Sequence, residues 1–465
     1  MKTESVLKYD TVVVGGGSAG ISAAASAAKN GYHVLLIEAG PVLGGEMLSG
    51  MTIDGAVNAR GERIVGGILD ELIEELKLMD GYVGIFNDWR LIRYICIDPV
   101  VMQMAVMKVL SKYGVEILLH SVMEDVIVRD GTVEKIVIYN KKGKSYVEAG
   151  NFIDCSGDGD LCAMAGAPYE LASSDGELQP VSLMFRMSGM ETEPLLRFVR
   201  EHPEYVAIGE SDVIRDGRTD KEIVEELYKQ GQPTVFFKGD GPLLKEAINL
   251  GELYPTSLIM IQPTSIARKE VCINSTRAAH INALDTKALS NVMEELLDQV
   301  NKCVKFLKKR VPGFENAQLS AIGPRIGIRE TRRIIGEYVL SGDDAAKARK
   351  FPDGIAKGCH HIDIHQDGIK QVRIPIANGG SYDIPFRCLI PKGLRNVLIA
   401  GRCFSADRYA HGSARVIGGC LSMGQAAGTA ASMMLAGKLN DTRQIDVDAL
   451  RTRLKEQGAI LDGTY

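Results

Sequence analysis

The sequence lacks the cysteine spacing that holds metal ions and redox centres. Its nine cysteines are dispersed along 465 residues, and no two of them form a Cys-x-x-Cys pair. This excludes a zinc ribbon, a redox dithiol and the usual ligand motifs of iron–sulfur clusters. An odd number of scattered cysteines is typical of reduced thiols, so we predict a cytoplasmic protein.

Other absences restrict the class of protein further. The N-terminal residues MKTESVLKYD contain no apolar run of the kind found in signal peptides. The net charge of −5 gives no reason to expect a nucleic-acid partner. The uncharged stretch 416–437 is as long as a bilayer span, but small and polar residues dominate it. We therefore predict a buried helix packed against a ligand, and no membrane span.

Glycine, in contrast, is abundant, and its clearest motif lies in residues 9–38. Apolar TVVV runs into Gly15-x-Gly17-x-x-Gly20, and an Ala-rich stretch and a second apolar stretch follow. This order predicts a strand, a tight turn, a helix and a parallel strand that together bind a dinucleotide. The helix N-terminus would face the phosphates, and Glu38 would accept a hydrogen bond from a ribose hydroxyl.

NAD and FAD both use this unit, and three later features favour FAD. They are the Gly-rich strand ends EAGPVLGG at 38–45, FIDCSGDGD at 152–160 and NVLIAGR at 396–402. Glycine-rich strand ends distributed along the chain are typical of a domain that binds an extended cofactor such as FAD. The sequence also shows no second strand–GxGxxG–helix unit that would bind NAD(P)H. The predicted FAD-binding residues in or beside these regions are Gly15, Gly17, Ser18, Ala19, Gly20, Glu38, Ala39, Gly44, Gly45, Glu46, Ser156, Gly157, Asp158, Gly401 and Arg402, and Val122 is predicted in addition.

The character of the sequence changes near residue 170. Before it, short alternating stretches with turn signals predict a β-meander; after it come amphipathic helical patterns, and strand character returns near residue 381. We therefore predict an α/β protein with a Rossmann-like FAD-binding domain of parallel sheet, helices and β-meander, which carries an inserted α+β substrate domain. The predicted boundaries are 1–170 and 381–465 for the FAD-binding domain and 171–380 for the substrate domain.

Six stretches near the two ends of the chain carry a family resemblance. They are VVVGGGSAGISAA, LLIEAGPVLGG, FIDCSGDGDLCAMAGAP, IGIRETRRIIGEY, YDIPFRCLIPKGLRNVLIAGR and HGSARVIGGCLSMGQAAGTAAS. Together they resemble FAD-dependent oxidoreductases of the glutathione-reductase-like superfamily. More narrowly, they resemble a prokaryotic group distantly related to the flavoproteins of fumarate reductase and succinate dehydrogenase.

This resemblance implies FAD, bound covalently or noncovalently, with the isoalloxazine between the two domains. It places the N-terminus of the last long helix near the flavin pyrimidine ring, where Gly418 and Gly419 would allow close approach of the backbone. A helix N-terminus stabilises the negative charge of a reduced flavin.

The resemblance also implies roles for charged residues. In the fumarate reductase relatives an arginine delivers a proton, while a histidine and a second arginine hold a dicarboxylate. On that pattern Arg415 is a candidate carboxylate clamp, using its bidentate geometry. His361 or His360 is a candidate second contact, and Arg329 a candidate for proton handling or anion binding.

Each of these candidates has a plainer alternative. Arg415 could hold only the flavin edge or the final turn. Arg329 lies among other arginines and could join a structural ion-pair network with Glu330 and Glu337. Arginine is also a poor acid outside a special site.

Three further interpretations concern polar residues near these motifs. Tyr409 and His411 lie on a predicted loop between strand and helix, and either is a candidate proton donor. Alternation along a strand would put His361, Asp363 and His365 on one face, a set that zinc or iron accepts. We favour a polar patch beside the flavin and predict no metal.

The function predicted is an oxidoreductase that transfers a hydride between flavin N5 and a small organic substrate, either a carboxylate or a hydroxylated compound. The alternative is a flavoprotein electron-transfer subunit of a larger redox complex. A biosynthetic protein resembling thiazole synthases ranks last, because RETRR and DIPFRCLIP would then have no role. The sequence does not identify the external electron donor or acceptor, and a homo-oligomer is possible.

Overall fold

The computed structural model describes residues 5–171 and 176–463. In chain order its strands are β1 Ser5–Val14, β2 Val34–Ile37, β3 Ile53–Val57, β4 Tyr82–Asn87, β5 Arg93–Ile97, β6 Glu116–Leu118, β7 Val122–Arg129, β8 Thr132–Asn140, β9 Gly143–Asp154, β10 Tyr169–Leu171, β11 Phe185–Ser188, β12 Val235–Lys238, β13 Leu258–Ser265, β14 Glu270–Asn274, β15 Gln318–Ile322, β16 Arg332–Ile334, β17 Gly354–Gly358, β18 Ile362–His365, β19 Gln371–Ile374, β20 Tyr382–Pro385 and β21 Val397–Ile399.

The α-helices alternate with these strands. They are α1 Ser18–Lys29, α2 Ile68–Leu78, α3 Pro99–Lys112, α4 Asp160–Met164, α5 Thr192–Glu201, α6 Asp212–Arg215, α7 Asp220–Gln230, α8 Pro242–Asn249, α9 Thr286–Arg310, α10 Gly342–Ala346, α11 Arg408–Ala414, α12 Ile417–Ala436 and α13 Val447–Glu456. Short 3-10 turns cover Gly45–Leu48, Pro203–Tyr205, Ala377–Gly379, Phe386–Leu389 and Thr442–Gln444.

A mostly parallel sheet organises the part of the chain that begins with β1. Its strands lie in the order β6-β2-β1-β9-β8-β7, and β21 also pairs with β9. The pairs β1–β2, β1–β9, β2–β6 and β9–β21 are parallel, whereas β7, β8 and β9 form an antiparallel meander. Helix α1 connects β1 to β2, as parallel neighbours require. The predicted strand–turn–helix–strand unit, the meander and the Rossmann-like fold class are thus confirmed.

A second apolar core lies in the middle of the chain. It is built from residues between Val181 and Ile326 and is separate from the core around α1 and α12. An antiparallel sheet, β12-β13-β14-β11-β15, runs through it, and the long helix α9 packs into it. From Leu340 onward, many buried residues pack in the first core, whereas Leu394, Val397, Ile399 and Cys403 pack in a further cluster between the parallel strands and the meander. The predicted domain boundaries at 170 and 380 stay a prediction.

The uncharged stretch near the C-terminal end forms helix α12, which is buried along nearly its whole length. Its most extensive packing is against α1. A Cβ added at Gly424 would lie 2.1 Å from the carbonyl oxygen of Ala19, and one at Gly428 would lie 2.1 Å from that of Ala23. Both positions require glycine because the backbones of α1 and α12 approach closely. Most of α12 therefore packs against protein, whereas the sequence had predicted packing against a ligand. No helix in residues 5–171 and 176–463 is long and apolar enough to cross a membrane.

This helix contact generates a stability prediction. We expect Gly428→Ala to lower the free energy of unfolding by about 2 kcal/mol or more, because the new methyl group forces α1 and α12 apart. Urea denaturation measures the change. Ser422→Ala on the same helix is the control, and it should change stability by less than about 0.5 kcal/mol because Ser422 bonds only within its own helix turn. Equal stability of Gly428→Ala and the parent would contradict the packing argument.

Candidate functional site

One cavity of about 670 Å³ extends from the β1–α1 turn to a cluster of charged side chains contributed by both cores. Most of the predicted FAD-binding residues line its first part: Gly15, Gly17, Ser18, Ala19, Glu38, Ala39, Gly45, Glu46, Val122, Ser156, Gly157, Asp158 and Arg402. Of the predicted catalytic residues, Arg329, His361 and Arg415 line its other part. The fold thus brings residues from distant parts of the sequence to one continuous space.

The turn between β1 and α1 has the features of a phosphate cradle. Gly15 has φ +102°, and a Cβ there would lie 2.3 Å from the carbonyl oxygen of Cys155. A Cβ at Gly20 would lie 1.8 Å from the carbonyl oxygen of Gly15, so this glycine allows the helix to pack on the turn. A Cβ at Gly17 would meet no described atom within 4 Å, and the N-cap of α1 is Gly17 itself, which has no side chain to cap the helix. This combination of open space and an uncapped helix N-terminus fits the pyrophosphate of a dinucleotide.

Glu38 has a structural task in addition to the predicted one. Its Oε2 accepts a hydrogen bond from the Gly16 N–H at 2.7 Å, and its Oε1 accepts one from the Gly40 N–H at 2.7 Å. The carboxylate therefore braces the glycine turn from the end of β2. Because each carboxylate oxygen has more than one lone pair, Glu38 can still accept a hydrogen bond from a ribose in the cavity that it lines.

Five predicted cofactor-binding glycines do not line the cavity: Gly20, Gly44, Gly401, Gly418 and Gly419. The space that their missing side chains leave is filled by protein. A Cβ at Gly418 would lie 2.7 Å from backbone atoms of β3, and one at Gly419 would lie 2.4 Å from the carbonyl oxygen of Ala414. Their contact with a flavin stays a prediction, while the neighbouring Val416, Ile417 and Cys420 do line the cavity.

Three arginines, Arg277, Arg329 and Arg415, line the other part of the cavity. Within the described part of the chain, no carboxylate approaches any of them within 4.0 Å. The Arg329 guanidinium donates to the carbonyl of Pro180 at 2.6 Å, and Arg415 Nε has no hydrogen-bond partner among residues 5–171 and 176–463. Burial, together with repulsion from the other two cations, lowers the pKa of Arg329 to about 9. A group of desolvated cations with spare N–H donors is suited to bind an anion.

Asp363 and His365 lie beside these arginines on β18. The imidazole of His365 accepts from Arg277 Nη2 at Nδ1, 2.5 Å away, and donates from Nε2 to Asp363 Oδ2 at 2.8 Å, which makes it neutral. Gln371 donates to the other oxygen of Asp363. Burial alone would raise the pKa of Asp363, but the adjacent His365 holds that pKa well below its usual range. This carboxylate is therefore ionised and already occupied by protein donors.

His361 does not join the face that the strand pattern predicted. Strand β18 begins after it, and its Nε2 lies 3.4 Å from Arg90 Nη2 instead. The rings of His360 and His361 stack with centroids 4.0 Å apart. Among the residues that the structure describes, no group of three or more His, Cys, Asp or Glu side chains is arranged to hold a metal ion.

Asp54, which sequence reasoning missed, lines the cavity near these histidines. Its Oδ1 accepts from the Thr52 hydroxyl at 2.6 Å, and its Oδ2 lies 3.9 Å from His360 Nε2. Burial raises the pKa of Asp54 to about 7 and lowers that of His360 to about 4. The one available signal was an acidic residue inside the otherwise apolar strand β3.

Two candidate proton donors lie away from the cavity lining. Tyr409 is 47% exposed on α11, and His411 is fully buried and bonded through Nε2 to the carbonyl of Arg402 at 2.9 Å. The segment predicted as a loop forms helix α11, and in this helix neither residue lines the cavity. We therefore give neither residue a part in the site.

The ion-pair network considered as an alternative for Arg329 does form, but without Arg329. Buried Glu330 pairs with Arg333 and lies 3.4 Å from Arg408 Nε. Glu337 pairs separately with Arg443 at 2.7 Å. Because neighbouring residues satisfy both glutamates, Arg329 remains available to a ligand.

Comparison with solved structures finds matches at low sequence identity and low TM-score. A geranylgeranyl bacteriochlorophyll reductase-like protein from Thermoplasma acidophilum is 15% identical with a TM-score of 0.48, and the match covers 97% of this chain and 84% of that one. The flavin-dependent brominase Bmp2 is 12% identical with a TM-score of 0.46, over 97% and 83%. The p-nitrophenol 4-monooxygenase PnpA from Pseudomonas putida DLL-E4 is 11% identical with a TM-score of 0.39, over 97% and 81%.

The family comparison agrees with the phosphate cradle and with the predicted cofactor, FAD. The match to FAD dependent oxidoreductases extends over residues 10–454 and so includes the β1–α1 turn, the arginine cluster and α12. The narrower relationship to the fumarate reductase and succinate dehydrogenase flavoproteins stays a prediction. The chain belongs to the family of FAD dependent oxidoreductases.

Proposed function

We propose that this FAD-dependent oxidoreductase exchanges a hydride with a small organic substrate that carries a carboxylate. The observation that carries the proposal is the cluster of Arg277, Arg329 and Arg415, which lines the cavity without carboxylate partners in the described chain. An electron-transfer subunit would give these arginines no task. Nine free and buried cysteines support a cytoplasmic location.

The two parts of the cavity suggest a division of tasks. The Gly15–Gly17 turn and the N-terminus of α1 would hold the pyrophosphate, and Glu38 the adenosine ribose. Bound FAD supplies the redox chemistry, exchanging a hydride with the substrate. Arg329 and Arg415 would hold the substrate carboxylate and so fix which carbon faces the cofactor. An apolar wall that includes Met260 and Phe236 would cover the rest of the substrate.

Substitutions at Gly17, where an added side chain would enter open space, can test the proposed FAD site. Gly17→Val is sterically allowed, because Gly17 has φ −77° and ψ −172° and an added Cβ meets no atom within 4 Å. We expect the variant to fold, with an apoprotein melting temperature within about 4 °C of the parent, yet to retain less than about a tenth of the FAD. Absorption spectra of the purified proteins measure this retention. Gly17→Ala should retain an amount of FAD between those of the parent and the valine variant. Full FAD content in the valine variant would exclude Gly17 from the phosphate cradle.

The arginine cluster predicts anion binding to the holoprotein. Butyrate should perturb the absorption of the bound flavin, and Arg329→Met should raise its dissociation constant about 10-fold or more, since a charge-assisted hydrogen bond is lost. Arg329→Lys should raise the dissociation constant for butyrate by a smaller factor. Arg268→Met is the control, because Arg268 pairs with Asp98 outside the cavity lining. If Arg329→Met binds butyrate as tightly as the control does, the proposed carboxylate site is wrong.

The buried carboxyl of Asp54 predicts a pH dependence. Its pKa is raised to about 7, so it is neutral at lower pH and negatively charged at higher pH. Butyrate stays ionised throughout this range, so its affinity should fall about 3- to 10-fold as the pH rises from 6 to 8, through charge repulsion. Asp54→Asn should abolish this decrease. A decrease of the same size in Asp54→Asn would assign the titration to another group.

A further inference from the structure

Asp54 and Tyr94 are neighbours on the face of the small sheet β3-β5-β4 that lines the cavity. Strands β3 and β5 are antiparallel, and Ile53 pairs with Ile95. The adjoining residues Asp54 and Tyr94 therefore lie across from each other, on the opposite face from these isoleucines. The isoleucines belong to the first core, whereas Asp54 and Tyr94 both line the cavity. The strand pairing thus places a carboxyl group and a phenol next to each other in the cavity wall.

The hydroxyl group of Tyr94 is a buried donor that the described protein leaves unused. The residue is 1% exposed, and among residues 5–171 and 176–463 its hydroxyl has no hydrogen-bond partner. Burial holds the pKa of Tyr94 well above its ordinary value, so the hydroxyl keeps its proton at neutral pH. Buried tyrosine hydroxyls normally have a partner. An oxygen atom of a ligand in the cavity would supply one.

The hydrogen bonds around Asp54 determine where its carboxyl group holds a proton. Gln262 Nε2 donates to Thr52 Oγ1 at 3.4 Å, and the Thr52 hydroxyl donates in turn to Asp54 Oδ1 at 2.6 Å. Because Oδ1 already accepts a hydrogen bond, the proton of the neutral carboxyl belongs on Oδ2. His360 Nε2 lies 3.9 Å from Oδ2, and it is unprotonated because Nδ1 donates to the carbonyl of His361 at 2.7 Å. Within the described part of the chain, Oδ2 is therefore open to a ligand.

The groups around Asp54 account for its protonation near neutral pH. Burial is the main cause that raises the pKa of Asp54 to about 7. The hydrogen bond from Thr52 and the charge of Arg90 lower this pKa, whereas Asp88 and Asp363 raise it. The other titratable side chains around the carboxyl group are uncharged at neutral pH: His360, Tyr94, Cys96 and Cys359. A carboxyl group with this pKa both accepts and releases a proton at neutral pH, as a general acid–base residue must.

We propose that Asp54 and Tyr94 act together on an oxygen atom bonded to the reacting carbon, so that the substrate is a hydroxy acid or the corresponding oxo acid. This inference rests on the proposed function, because it takes the substrate carboxylate to be held by Arg329 and Arg415. In the oxidation, the C–H bond of the alcohol carbon breaks, and its hydride passes to the bound FAD with both electrons. The O–H bond breaks as well, its proton passes to Asp54 Oδ2, and the alcohol becomes a carbonyl. Tyr94 donates a hydrogen bond to the same oxygen and stabilises the negative charge that develops on it.

A binding experiment tests the role of Tyr94. Butyrate, 2-oxobutyrate and 3-oxobutyrate, which have the same chain length, are titrated into the oxidised holoprotein at pH 6, with the flavin absorption as the readout. We expect one oxo acid to bind about 5-fold or more tightly than butyrate, because its carbonyl accepts the unused hydrogen bond. Tyr94→Phe should abolish this preference and leave the affinity for butyrate unchanged. Tyr82→Phe is the matched control, since Tyr82 lies on the neighbouring strand β4 outside the cavity lining.

Anaerobic reduction of the bound flavin tests the role of Asp54. The holoprotein is mixed with saturating 2- or 3-hydroxybutyrate, and the loss of flavin absorption is followed in a single turnover, which needs no electron acceptor. We expect the hydroxy acid that corresponds to the tighter oxo acid to bleach the flavin. The rate should rise about 10-fold from pH 6 to pH 8, because the carboxyl of Asp54 loses its proton over this range. Asp54→Asn should bleach about 100-fold or more slowly and without this rise, and butyrate should not bleach the flavin at all.

The outcomes separate this inference from the proposed function. If butyrate binds through Arg329 but neither oxo acid binds more tightly, or if Tyr94→Phe keeps the preference, the role of Tyr94 is wrong. No bleaching by either hydroxy acid, or the same rate and pH profile in Asp54→Asn, would overturn the role of Asp54. If none of the acids depends on Arg329 for binding, the proposed function fails and the inference fails with it. Tyr94→Phe removes only an unpaired hydroxyl, so its melting temperature should equal or exceed that of the parent, which excludes misfolding as the cause of a changed affinity.

Discussion

The close contact between helices α1 and α12 is the constraint on which the site depends. Because Gly424 and Gly428 carry no side chain, α12 can approach the backbone of α1 closely. This contact fixes two helix N-termini at the same cavity, since Ser18 of α1 and Ile417 of α12 both line it. An interaction between the two ends of the chain thus builds a ligand site from segments that are far apart in sequence.

Electrostatics divides the cavity into two parts. Near the glycine turn, the carboxylate of Glu38 accepts hydrogen bonds from two backbone N–H groups, and that part of the cavity offers hydrogen-bonding groups rather than clustered cations. In the other part, Arg277, Arg329 and Arg415 are buried cations that no carboxylate of the described chain approaches within 4.0 Å, although the ionised Asp363 lies nearby. Desolvated cations are costly to a folded protein, so their clustering here supports the proposed role in binding a ligand.

The nucleotide-binding unit could be predicted from the sequence because it is local. Gly15, Gly17 and Gly20 act within one turn, and the strands and helix around them follow directly in the chain. Arg90 and Asp54 could not be found in this way, since each belongs to a short segment whose relation to the cavity depends on long-range packing. Tyr409 and His411 show the reverse relation. They stand next to the motif in sequence, yet neither residue lines the cavity, and a part in proton transfer stays a prediction.

The order of the segments along the chain has a consequence for biosynthesis. The strand β1 and helix α1 leave the ribosome early, whereas β21 and α12, which complete their packing, are synthesised last. The Ala-rich face of α1 therefore stays uncovered while the second core, from Val181 to Ile326, is already able to fold. The contact between α1 and α12, and with it the complete wall of the cavity, can therefore form only after the chain has been synthesised as far as α12.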